Sequence, residues 1–320
     1  MLTASCRNTL NETIILPQAE VQSPVIISDS LVIVPPLNME DLGAFLLFST
    51  PGMSDNILFF EKNTHKTYSW GKTGNGPDDY SIARFSGKRG NKIRLFDSNL
   101  KKCVEYELNT SNIPELTPQK RWQIEQDSII LTDIHWMQNG YSVGYIGYGS
   151  NRLFALLDED LNFLTTFADR PINDMPNSNN LQMFGWFASY ENKLFFACQS
   201  YGYMVCYEVK GSNAISKEWE ITFSKPLYDA DSKKWEKENL LGFYDIKANA
   251  DYIFVPFSNK SYANGGKVTP QYILVLTHQG EIVKNITIPD KYFSKISVSD
   301  NKGLYIYGND LLMYDDWSNW

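Results

Sequence analysis

The chain has 320 residues, 43% of them hydrophobic and 21% charged, with a net charge of −8. That composition supports a large core and excludes a wholly disordered chain. The acidic balance, broken only by short basic pairs such as Lys88 with Arg89, excludes a general nucleic-acid coat, and no run approaches the roughly 20 apolar residues of a membrane helix.

The chain begins MLTASC. Small residues before a cysteine match the end of a bacterial lipoprotein signal, with Cys6 as the lipid-attachment residue; an ordinary cytosolic N-terminus is the alternative reading. Residues 1–11 are therefore set apart from a single domain over 12–320.

Short apolar runs separated by Asn, Asp, Gly, Ser and Lys turns follow throughout, the pattern of strands. Aromatics at 14% agree, since flat side chains suit a pleated surface. The runs fall into fours: LVIVPPL, AFLLFS, ILFFEK and KTYSWG; then SIARFSG, KIRLFD, KCVEYEL and RWQIE; then LTDIHWM, YSVGYIGY, RLFALLD and FLTTFA; then MFGWFAS, KLFFACQ, YMVCYEV and EWEITF. After YDADSKKWEKENLL (228–241), read as a short helix or an ordered insertion, come GFYDIKA, YIFVPF, QYILVLT and IVKNITI. The last group, FSKISVS, GLYIYG and LLMYD, is one strand short. A four-stranded repeat of roughly 40–50 residues predicts an all-β, six-bladed β-propeller of antiparallel blades. An N-terminal strand, read as ETIILP (12–17), supplies the missing member and closes the ring, which removes the exposed edges.

Chemical motifs are sparse. The four cysteines, Cys6, Cys103, Cys198 and Cys206, lack CxxC spacing, and Cys198 and Cys206 are either buried thiols or partners across a hairpin. His65, His135 and His278 fall in different groups without metal-ligand spacing, and no calcium loop is present, so neither a metal nor a cofactor is expected. GKTGNGP has Gly-Lys-Thr ahead of the glycines, the reverse of a phosphate loop.

Tyr68 to Phe85 reads YSWGKTGNGPDDYSIARF. This stretch resembles the G-x-G-x-GP-[GE]-E-[YF] signature of the six-bladed propeller lipoproteins of Bacteroides-type bacteria, also described as TolB-like or NHL-like propellers. Gly71, Gly74, Gly76, Pro77 and Tyr80 fit, while Asp78 and Asp79 replace the usual small and glutamate residues. The glycines suit a sharp blade-to-blade turn. The resemblance implies the propeller fold and an exported location, periplasmic or at the outer membrane.

These readings point to a monomeric, non-catalytic binding or scaffold protein of the cell envelope that recognises a protein or a glycan. Loops joining second to third strands, and those leading to the next blade, share one propeller face and are the long ones. Tyr148, Tyr201, Tyr228, Trp235 and Tyr262, with Asp78 and Asp79, are the candidate contact residues there. The alternative is a glycan-directed hydrolase or lyase with a carboxylate site in the central channel.

Overall fold

Middle strands of a stacked blade are covered on both faces, so they should read as continuous apolar runs, whereas outermost strands should alternate. In a computed structural model, which describes residues 16–21, 23–31, 33, 35–124, 128–172, 179–261, 263, 269–288, 293–299 and 303–314, this gradient is present. In blade 1, Phe45–Ser49 is buried along its whole length and Asp55–Glu61 is buried except at its ends, while Thr67–Lys72 alternates between exposed and half-buried. Six such sheets of antiparallel strands follow one another along the chain, making a six-bladed β-propeller closed by an N-terminal strand. Helical content among the described residues is slight and includes the short turn Leu181–Met183.

The chain divides into two compact units. The larger holds blades 1, 2, 3 and 6. Their first strands are Asn38–Asp41, Arg84–Arg89, Ile130–Trp136 and Phe293–Val298. The blade 6 strand packs beside that of blade 1, and the blade 3 strand beside that of blade 2. Blade 2 is tied to blade 1 where the Phe85 N–H donates to the Asn38 side chain at 3.2 Å. A core of Phe45, Leu47, Phe59, Ile93, Leu95 and Val104 fills the space between blades 1 and 2.

Blade 6 shows how the ring closes. Leu311–Tyr314 pairs antiparallel with Val25–Ser28, bringing Ile26 opposite Leu312. The closing strand is thus VIIS and not ETIILP. Of the latter, Glu12 to Ile15 lie outside the described residues, and Leu16 and Pro17 belong to the other unit. LVIVPPL is likewise not the first strand of blade 1. Pro35 and Pro36 have no N–H to give a ladder, so the strand begins after them at Asn38. Leu31 and Ile33 are buried instead, and their backbone is pinned by the Tyr307 hydroxyl, which accepts from the Ile33 N–H at 3.1 Å.

The smaller unit holds blades 4 and 5 over a core including Phe195, Met204, Phe243, Val255 and Leu274. Glu20–Val21 adds a parallel fifth strand along Ile282–Thr287, and Asn285 donates to the Pro17 carbonyl at 3.2 Å. The insertion at 228–241 is ordered but not helical. Tyr228–Asp229 pairs with Lys234–Trp235 as a small hairpin. Asp229 accepts the N–H groups of Asp231 and Ser232, a side-chain turn that competes successfully with helix propensity. Cys198 and Cys206 are buried free thiols: Cys206 lies opposite Phe195 and Cys198 opposite Gly185, so register keeps them apart.

Candidate functional site

The glycine-rich signature was the most specific sequence feature, and its geometry is that of a clamp. Three side chains from blades 1 and 2 grip it. The Asn56 amide donates to the Tyr80 carbonyl at 3.0 Å and its oxygen accepts from the Ala83 N–H at 3.2 Å. Asp97, fully buried, accepts the N–H groups of Ser81 and Ile82 on one oxygen, at 2.6 and 2.9 Å, and those of Asn99 and Leu100 on the other, both at 3.0 Å. The Lys102 ammonium donates to the carbonyls of Gly76, Pro77 and Asp79 and sits 4.3 Å above the Tyr80 ring. Burial holds the Lys102 pKa below the usual lysine range. Tyr80 is itself buried, its hydroxyl 2.6 Å from that of Tyr106. Burial pushes the Tyr106 phenol up to about 12.

Asp79 is consumed within the loop: its carboxylate accepts from the Gly76 N–H at 3.0 Å. A Cβ on Gly74 or Gly76 would stand 2.5 or 2.7 Å from that carboxylate, so a larger residue at either position would displace the Asp79 side chain from the loop. Asp78 is exposed and ion-paired with Arg121. Gly71 takes the left-handed conformation at φ 77°.

In the smaller unit the structure brings three of the candidate aromatics together. Trp235 lies with its ring 5.6 Å from Tyr201 and 5.4 Å from Tyr228, the latter edge-on. Tyr201 is buried at 1% exposure and therefore forms the floor of the cluster, not its contact surface. Tyr228 and Trp235 are partly exposed. Asn239 locks the insertion: its amide donates to the Ser200 carbonyl at 2.7 Å and its oxygen accepts from Leu227 at 3.0 Å. The Trp235 indole donates to the Gln182 carbonyl at 3.2 Å. Further on, Leu241 donates to the Lys260 carbonyl at 2.8 Å, so three loops are knitted into one surface. Tyr148 is exposed in the larger unit, where it bridges to Asn179. Tyr262 and Cys6 lie outside the described residues.

Sequence reasoning missed a charged group on the first strands of the larger unit. Asp133 of blade 3 is acted on by Arg84 of blade 2 and Lys295 of blade 6. Burial pushes its carboxyl above the usual range, opposed by Arg84, the Ile134 N–H and Lys295. Asp245 of blade 5 repeats the local motif. Each aspartate accepts the N–H of the following isoleucine at 2.9 Å, and this recurring Asp-Ile at matching blade positions was the available signal.

No protein-family model matches the chain, and no curated protein matches its sequence. Solved structures do match. A protein of Bacteroides fragilis NCTC 9343 assigned as exported superposes with a TM-score of 0.60 at 12% identity, covering 91% of this chain and 94% of its own. A calcium-binding protein, regucalcin, from Agrobacterium tumefaciens gives 0.55 at 9%, covering 93% and 95%. A gluconolactonase from Xanthomonas campestris gives 0.54 at 10%, covering 91% and 88%. At these identities the likeness speaks for the fold alone. Among the described residues no helix is long and apolar enough to cross a membrane.

Proposed function

We propose that this chain is a non-catalytic binding protein of the cell envelope, taking a protein or glycan partner on the loop surface built around Tyr228 and Trp235. The observation that carries the reading is the insertion itself. It adds nothing to a blade, yet it is fastened by Asn239 and presents two partly exposed aromatics over the buried Tyr201. Rigid amphipathic rings on an ordered loop suit recognition, because little entropy is lost on contact. The enzyme reading draws less support: glycoside hydrolysis needs two acids across a cleft, and Asp133 is attended by Arg84 and Lys295.

Replacing 228–241 by a short Gly-Ser linker tests this. Binding on a glycan array or to immobilised envelope proteins is expected to fall at least tenfold while the far-UV spectrum stays that of an intact β protein. Unchanged capture by a folded variant would refute it. Export through a lipoprotein signal, with Cys6 as anchor, is the companion proposal. It follows the MLTASC motif and the signature at 68–85. Expressed with its natural upstream sequence in its own host, the protein should be membrane-associated and released by Cys6→Ala; an unmodified Cys6 in soluble protein rules the anchor out.

A further inference from the structure

A groove of about 300 Å³ runs in the larger unit between the last strand of blade 2 and a turn of blade 3. Its walls are Trp122, Ile124 and Phe163, with Gln123, Asp160 and Asn162 beside them. Gln123 gives one amide N–H to the Leu100 carbonyl at 3.0 Å, and Asn162 gives one to Asp158 at 2.9 Å. One Asp160 oxygen is held by Lys120 at 3.1 Å. Each amide keeps a second N–H and its carbonyl oxygen, and Asp160 keeps an acceptor oxygen, so the groove offers donors and acceptors side by side, as a ligand rimmed with hydroxyls requires.

Charge narrows the choice further. The Asp160 carboxylate in the lining disfavours a phosphate or a carboxylate. A cation is disfavoured because Trp122 is already attended by two, Arg94 at 4.6 Å from its ring and Lys120 at 5.8 Å. Asp160 and Lys120 neutralise one another. The indole is also held in place. Arg94 is 1% exposed, lies between Trp122 and Trp136, and is anchored by Glu105 at 3.0 and 3.1 Å and the Glu159 carbonyl at 2.9 Å. A fixed aromatic ring beside side chains that both donate and accept matches a molecule with an apolar C–H face and a rim of hydroxyls.

We propose that this inter-blade groove binds a neutral hexose unit of a glycan. The site is separate from the loop surface at Tyr228 and Trp235 and stands whether or not that surface binds a partner.

Saturation-transfer NMR and calorimetry on the full chain, with glucose, galactose, mannose and their short oligomers, read this directly. Glucose 6-phosphate, glucuronic acid and glucosamine serve as charged comparators. At least one neutral sugar is expected to bind with a Kd of about millimolar or tighter, and the charged analogues more weakly. Trp122→Ala should weaken it by about tenfold or more, as for a central aromatic contact. Trp122 also packs on Arg94, so that variant could unfold; Asn162→Ala and Phe163→Ala, both at exposed positions, should each weaken binding severalfold in a folded protein. The proposal fails if no neutral sugar binds, if charged comparators bind equally well, or if Asn162→Ala and Phe163→Ala together leave binding unchanged.

Discussion

Asp97→Ala should be among the most damaging single substitutions in the protein. The wild-type carboxylate accepts four backbone N–H groups, two from the end of the signature loop and two from the turn after its own strand. Alanine leaves all four donors without their acceptor in a site where Asp97 itself is fully buried. An orphaned buried donor costs about 1–3 kcal/mol. These donors are only partly buried, so the low end applies to each, for about 4 kcal/mol in all. With an unfolding entropy near 2.1 cal/mol/K per residue, that corresponds to a fall in Tm of roughly 6 °C for a chain of this length. Asp97→Asn keeps one acceptor oxygen but turns an NH2 toward two N–H groups, so roughly half the loss is expected. Urea titration followed by tryptophan fluorescence and far-UV dichroism together measures both variants. A loss below about 1 kcal/mol for the alanine variant, or an asparagine variant worse than alanine, would refute the reasoning.

Two further outcomes follow from the fold. Asp133 has a folded pKa raised above its unfolded value, so its ionised form costs the folded state above that pKa, and the cost disappears below about pH 4, where both states are protonated. Asp133→Asn should therefore match or exceed wild-type stability at pH 7, by up to about 1 kcal/mol, with the difference vanishing on acidification; a variant less stable at pH 7 than at pH 4, relative to wild type, would mean that Arg84 and Lys295 outweigh burial. Deleting residues 1–18 removes the Leu16 contact and the Pro17 acceptor, costing about 1–2 kcal/mol. Deleting residues 1–28 removes the closing strand and should abolish cooperative unfolding, and equal melting of the two truncations would contradict the closure at Val25–Ser28.

The middle strands could be read from sequence because burial on both faces leaves an unbroken apolar run, as in FLLFS and YIFVPF. Closure was read correctly in kind but at the wrong place. ETIILP and VIIS are equally apolar, and only pairing distinguishes them. The insertion misled because KKWEKENLL carries good helix formers while the deciding Asp229 turn is a side-chain to backbone contact. The clamp on the signature loop was invisible for a related reason: Asn56, Asp97 and Lys102 bind backbone atoms 15 to 27 residues away, and backbone atoms carry no sequence signal. The aromatics at 201, 228 and 235 were found by type and loop position, but Tyr201's burial depends on the loops packed over it.

Closure by Val25–Ser28 also sets a clock on biogenesis. Val25 must wait for Met313, about 290 residues later in the chain, before its ladder can form. At about 5–20 residues per second of synthesis, that interval is roughly 15–60 s. Throughout it an apolar four-residue strand has no partner, and even in the finished fold Val25 and Ile26 remain 55% exposed. Early blades can assemble, but the larger unit cannot complete its last sheet until the whole chain is available. Maturation is therefore governed by the arrival of Leu311–Tyr314, and a premature stop anywhere before Leu311 leaves a sticky edge on an otherwise well-packed set of blades.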